Sequence, residues 1–454
     1  MTDTPTKDAG PKPELSRVLS MWDLVFYGVV LIQPIAAIPL FGIADKLSEG
    51  HVASTIFIAM VAMMITAVSY GRMATIYPRA GSAYTYVSQA LNPSIGFLTG
   101  WVMILDYLVI PIINTIYGSL TLARIVPSIP FAVWVLVFSL LITLCNLWGV
   151  RSTARANSVL LFVMCAVVLV FMAMAVAYLL RSNGLAGLFS TTPFYTPGTT
   201  HFSSLLTATS LAALTYIGFD GVTTLSEEAK NPAKSVLRAT VLVCLITGIF
   251  SGAQVYLAQR VWPDYNSFPD AETAFMDVAS RVGGSRLFDA MALTLILASV
   301  GSGLSGQAGA ARLLFGMGRD QVLPKKFFGS LSKKHSVPTY NIVLIGFLTL
   351  LGSLFLDFER AAELLNFGAF LAFMGVNLAT IRHFYFTPAM AVQRKLFRDF
   401  ILPACGFLFC LSIWWGLPRP AQIVGGFWLV AGVIYLTILT RGFRVKPTKL
   451  SFEA

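Results

Sequence analysis

The stretch LIQPIAAIPLFG, residues 31–42, lies inside an apolar run that begins near Trp22 and ends near Ala44. That run has about the length a helix needs to cross a bilayer. Its centre nonetheless holds Gln33, Pro34 and Pro39, with Gly28 and Gly42 to either side. Proline removes a backbone donor and clashes with the preceding turn, at a cost of ~3 kcal/mol in a helix interior. In hydrocarbon no water is present to satisfy the freed carbonyls. A span that breaks at its centre needs a reason, and the rest of the chain supplies one.

Of the 454 residues, 56% are hydrophobic and only 12% charged, with a mean hydropathy of +0.75. A soluble chain of this length carries roughly twice that charged fraction. Apolar runs of about 20 residues recur along nearly the whole sequence, which makes this an all-α polytopic membrane protein. The alternating pattern of a membrane β-barrel is not seen. Twelve spans are expected, at about 22–45, 52–72, 94–121, 130–150, 158–180, 203–226, 236–258, 287–311, 338–356, 362–381, 399–416 and 421–440. Residues 1–21 and 441–454 are then polar tails, the first too polar for the core of a signal peptide.

The net charge of +11 could suggest nucleic acid, but the placement of the charges decides otherwise. With the N-terminus inside, 24 of the 32 Lys and Arg fall in or beside the cytosolic segments. This is the asymmetry of the positive-inside rule. The basicity is topological, and both termini are expected in the cytosol. All five cysteines lie in apolar runs and the four histidines are scattered at span ends. Neither set has the spacing of a metal site or a nucleophile, so no metal, no cofactor and no enzyme chemistry is expected.

A second span breaks in the same manner. LTYIGFDGVTTLSEEAKNP, 214–232, meets Gly218, Asp220 and Gly221 before its apolar stretch is finished. The broken spans are the first and the sixth. If spans one to five and six to ten are two halves of opposite topology, the breaks occupy matching positions, and such a pair points to a transporter's midplane site. Half-helix amide ends there bind anions, and exposed carbonyls bind cations. A simple proline kink is the plain alternative for either break alone.

Four further stretches carry a resemblance. YGRMATIYPRAGSAYTYVSQALNPSIGFLTGW (70–101), NLWGVRSTARAN (146–157), GFDGVTTLSEEAKNP (218–232) and ARLLFGMGRDQVLPKKF (311–327) occur in order along the chain. Together they are similar to segments of the amino acid–polyamine–organocation transporter superfamily, over nearly the whole length. The resemblance implies a LeuT-type five-plus-five inverted repeat, at about 22–180 and 203–381, with two further helices at 399–440. It also implies secondary transport of a small amine or amino acid by alternating access, as an importer or an exchanger. Two departures from the family matter. Where relatives unwind span one at a glycine-rich stretch that holds a substrate carboxylate, this chain has Gln33, Pro34, Ile35 and Ala36. This Q-P-I-A-A stretch most resembles the putrescine-importer-like branch. Met164 stands where some proton-coupled relatives have a lysine.

Charged groups at membrane depth cost at least about 2.5–3.5 kcal/mol on insertion scales, so each is a functional candidate. Asp106 is the deepest. The resemblance places it in span three beside the substrate, where it pairs with an ammonium or carries a coupling proton; a buried structural hydrogen bond is the alternative. Asp220 is expected to hold the broken helix or a gate, and Phe219 to serve as a gating aromatic or as packing. The carbonyls of Leu214, Thr215 and Ile217, next to Gly218, are candidate ligands for an ammonium. Glu227 and Glu228, with Lys230, Lys234 and Arg238 behind them, form a cytosolic latch or a solvated loop. The expected partners are a small amine or amino acid, protons and membrane lipid, with no nucleic acid. A channel or sensor is the rival from a different class.

Overall fold

In a computed structural model the chain is described over residues 18–78, 82–148, 154–198, 200–226, 228–319, 323–332, 337–388 and 394–444. Among the described residues it is helical throughout, joined by one isolated bridge between Leu19 and Ala229. Among the described residues nine helices are long and apolar enough to cross a membrane. The first, fourth and ninth spans are carried by shorter apolar helices.

Span one is α1 (Met21–Ile32) and α2 (Phe41–Leu47), separated at the Gln33–Leu40 turn. Ser20 opens α1 with a reciprocal capping box: its hydroxyl accepts from the Asp23 amide, and its amide donates to the Asp23 carboxylate. Span two is α3 (Val52–Ile76), and a short buried helix α4 (Ser82–Ala90) leads to span three, α5 (Pro93–Ile125). Spans four and five are α6 (Phe131–Leu147) and α7 (Ala154–Leu188). Span six begins as α8 (Phe202–Ala212) and ends in two 3-10 segments. Span seven is α9 (Pro232–Val261), and span eight lies within α10 (Ala274–Arg319). A small α11 (Lys325–Phe328) precedes spans nine and ten, α12 (Thr339–Phe355) and α13 (Phe358–Ile381). The last two are α14 (Leu402–Trp415) and α15 (Arg419–Leu439).

The packing partners reveal the two-fold relation of the halves. Span one packs against span six, α3 against α9, α5 against α10 and α6 against α12. In each case a helix meets its counterpart five spans on. The exchanged pairs follow the same rule, since α5 packs on α13 and α10 packs on α7. The connecting helices correspond as well. Buried α4 joins spans two and three at one end, and a buried segment before Gly284 joins spans seven and eight at the other. Gly284, at φ 65°, turns that segment into the span proper, so α10 starts well before the expected residue 287. This is the LeuT-type inverted repeat with two added helices.

Candidate functional site

The first break is built by its prolines. Gln33 closes α1 with φ 69°, and its amide donates to the Val29 carbonyl at 3.0 Å. Such a conformation is uncommon for a side chain with a Cβ. Beyond it the Ala36 and Ile38 amides are spent on the carbonyls of Gln33 and Ile35. Pro34 and Pro39 have no amide to offer. The carbonyl of Pro34 is taken up by Nε2 of Gln254 from span seven, at 2.9 Å. The Gln33 amide group reaches across to the Ala298 carbonyl of span eight at 3.4 Å. Ile35 is buried. Two of the first break's amides are thus committed to its own turns, and the break is stitched to its neighbours through carbonyls.

The second break is tighter than an open unwound stretch. Residues Ala213–Tyr216 form one 3-10 turn and Phe219–Leu225 another. Between them Ile217 is extended and Gly218 has φ 115°, which excludes other L residues without strain. The Ile217 amide donates to the Leu214 carbonyl at 3.2 Å, so that carbonyl keeps one lone pair for a ligand. Thr215 is fully buried with its hydroxyl unpartnered. A Cβ placed on Gly218 would lie 3.4 Å from the side chains of Leu31 and Ile32, so the two breaks face each other.

Asp106 approaches this crossing from α5, and its Oδ1 is buried without a hydrogen-bond partner. Gly368 of α13 makes the approach possible: a Cβ there would sit 2.5 Å from the Val102 carbonyl, one turn before Asp106. Asp220 lies within Coulombic reach of Asp106. Its carboxylate is turned back onto the backbone amides of Gly218, Asp220 and Gly221, which ties it to the broken helix. Around the two acids stand aromatic rings. Tyr70 meets Phe219 at 5.4 Å, Phe373 at 5.8 Å and Tyr86 at 6.0 Å between centroids. Phe219 meets Phe373 at 5.2 Å. Tyr107 lies within reach of both carboxylates. The hydroxyl of Tyr70 has no partner.

Of the residues singled out in the sequence, Gln33–Ala36, Asp106, Leu214, Thr215, Ile217, Gly218, Phe219 and Asp220 belong to the two breaks or to the helix that meets them. Glu227 lies outside the described residues. Glu228 acts through its backbone: its carbonyl accepts from the Leu19 amide at 2.9 Å, and the Lys230 amide donates back to the Leu19 carbonyl at 2.9 Å. Among the described residues Glu228 makes no ion pair, so the connection there is a main-chain bridge. Met164 is buried core.

Sequence reasoning missed Tyr70, Tyr86, Tyr107 and Phe373, because an aromatic in an apolar run carries no mark of the groups it packs against. It also missed Gln254, and Asp45 on α2. Asp45 is fully buried with neither oxygen partnered, and it lies toward the Val52 amide that starts α3. Its place at the apparent end of a span hid it. Among the described residues no three acidic, imidazole or thiol groups converge to hold a metal ion.

Comparison with known proteins identifies the family. A family model described as amino acid permease matches residues 21–437. The chain is 34% identical over 432 residues to the low-affinity putrescine importer PlaP of Escherichia coli strain K12, covering 95% of each chain. It is 26% identical over 445 residues to the branched-chain amino acid permease BcaP of Lactococcus lactis subsp. cremoris, covering 92% of this chain and 93% of the other. In fold it is similar to a manganese transporter of Eremococcus coleocola, with a TM-score of 0.54 at 12% identity, over 97% of this chain and 99% of that one. The chain belongs to the amino acid permease family, and it is a multi-pass membrane protein.

Proposed function

We propose that this amino acid permease family member imports a small cationic amine, such as a short diamine, across the cytoplasmic membrane by alternating access driven by protons. Both termini and the 312–337 loop face the cytosol. The observation that carries the reading is the pairing of Asp106 and Asp220 beside the ring cluster of Tyr70, Tyr86, Phe219 and Phe373. Carboxylate charge answers the ammonium, and aromatic faces attract it further, by about 2 kcal/mol when the site is desolvated. The buried unpartnered oxygen of Asp106 needs a cation or a proton, which makes it the natural place for the two to compete. Carbonyls of Leu214, Thr215 and Ile217 complete the ammonium's shell. That a relative is a putrescine importer supports the same reading.

The first break argues against an α-carboxylate. The amides of Ala36 and Ile38 are spent internally, its prolines have none, and Gln33 already donates to Ala298. Losing a charge-assisted hydrogen bond costs roughly 1.5–3 kcal/mol, about ten- to a hundredfold in affinity. Competition for uptake into proteoliposomes tests this, with putrescine set against ornithine and cadaverine against lysine. Each amine is expected to compete at least tenfold better than its amino acid. Should the amino acids compete equally well, the amine reading fails and an amino-acid permease takes its place.

A further inference from the structure

At the end of the molecule opposite the Leu19–Ala229 bridge, the segment before α10 meets the start of α13. Asp270 and Glu272 come from the first, Asp357, Glu359 and Glu363 from the second. Hydrogen bonds fix the junction. Glu272 Oε1 accepts from the Phe358 amide at 3.2 Å, and Asp270 Oδ1 accepts from the Glu272 amide at 3.0 Å. Asp357 Oδ1 accepts from the Arg360 amide at 2.8 Å. Asp277 lies nearby, within electrostatic reach of Asp270.

The positive charge present does not balance these six acids. Arg124 pairs with Asp277, Arg360 lies 3.4 Å from Asp357 and within electrostatic reach of Glu359 and Glu363, and Lys46 of α2 is within reach of Glu359. Asp270, Glu272 and Glu363 are left without an ion pair among the described residues. Glu363 is only 5% exposed. A second and independent feature faces the same place. Tyr117 of α5 is 3% exposed with its hydroxyl unpartnered, and it lies within electrostatic reach of Asp270 and Glu272. Its ring packs 5.5 Å from that of Phe358, the residue whose amide holds Glu272.

We infer that Asp270, Glu272 and Glu363, with the Tyr117 hydroxyl, form a second, shallower site that captures small organic ammonium ions before they reach the midplane. The chemistry favours an organic cation over a metal ion, because no three of the described ligand groups converge closely enough to hold a metal. Spread carboxylates with a phenol and an aromatic face suit an ammonium on a methylene stem. Charge of one sign gathered at one end of a protein also raises the local concentration of the opposite ion, an effect that salt weakens.

The inference rests on the proposed amine substrate, and its test separates the two. Equilibrium binding of radiolabelled putrescine to the purified full chain is measured at low and at physiological salt. Two classes of site are expected, the weaker losing affinity about three- to tenfold across that salt range. Asp106→Asn should abolish the tight class and keep the weak one. The double substitution Glu272→Gln and Glu363→Gln should abolish the weak class, and Tyr117→Phe, which keeps the ring and its packing, should weaken it. A single class of site in the unsubstituted protein overturns the inference and leaves the amine reading intact. So does a weak class that survives both outer variants. Absence of any putrescine binding overturns both.

Discussion

In the proposed cycle a substrate ammonium and a coupling proton compete for Asp106. Its Oδ1 has no protein donor, and the neighbouring Asp220 is committed to the amides of its own break. Asp106→Asn is therefore expected to flatten the dependence of uptake on external pH and to raise the half-saturating amine concentration about tenfold or more. Uptake into proteoliposomes across pH 5–8, with and without sodium, measures both. Retention of the unsubstituted rate and pH profile would reduce Asp106 to a structural residue. A different carboxylate gives a pH effect on stability. Glu49, in the connection after α2, accepts from His201 at 2.7 Å and from the Ser204 hydroxyl at 3.0 Å. The His201 hydrogen bond, seconded by Ser204, holds its carboxyl below the usual range. A folded-state value below the unfolded one stabilises above the unfolded pKa, roughly 4.3, and the contribution is lost as pH falls through the folded value. Glu49→Gln should therefore melt slightly below the unsubstituted protein at pH 6–7, with the gap closing as the pH drops below about 4.

The two breaks show how much of an element the residues declare in advance. Pro34, Pro39, Gly218 and Gly221 announced where the spans part, since proline and glycine act on the backbone itself. What they left unsaid was how each break is held. Gln254, which bonds the Pro34 carbonyl from span seven, is 220 positions away, and no local pattern connects the two. The second break was expected as exposed carbonyls, yet two 3-10 segments occupy most of it, because in hydrocarbon each peptide group must find a partner within reach. Only Ile217 and Gly218 remain outside helical geometry. Gly218→Ala should consequently cost about 1–2 kcal/mol of stability, since its φ of 115° is closed to residues with a Cβ. Thermal melting of the detergent-solubilised protein checks this against Gly426→Ala. Gly426 lies in the interior of α15 with open space around a would-be Cβ, so that change should leave melting unchanged or raise it slightly. Equal melting of Gly218→Ala and the unsubstituted protein would mean that the break relaxes freely around the new side chain.

At the scale of the whole molecule, two opposed halves have to exchange access to one site while the chain keeps a fixed orientation. The described starts of span one and of span seven lie at one end. There the Leu19–Ala229 bridge ties the start of span one to the exit of span six. Nearby, Arg72 of α3 reaches Asp399 at 2.5 Å, ahead of α14, and lies 3.9 Å over the ring of Phe384. The acidic junction of Asp270, Glu272 and Glu363 occupies the other end. Composition alone made the membrane class and the span count legible, because hydropathy needs no tertiary context. The aromatic ring cluster and the acidic mouth were not legible, because each gathers residues from helices far apart in sequence. The proposed orientation rests on charge: 24 of 32 Lys and Arg fall in or beside the segments expected to be cytosolic, as the positive-inside rule requires. Single cysteines placed at Lys326, beside α11, and at Asn266, ahead of α10, test this in a variant lacking the five native cysteines. Both positions are exposed, so access to a membrane-impermeant maleimide reports the side of the membrane and not burial. In intact cells the cysteine at 266 should label and the one at 326 should not, and both should label once the membrane is permeabilised. Labelling at 326 with protection at 266 would invert the orientation, and import through an acidic outer mouth would lose its footing. Labelling at both in intact cells would break the odd count of spans between them, and with it the inverted repeat that makes the two breaks equivalent.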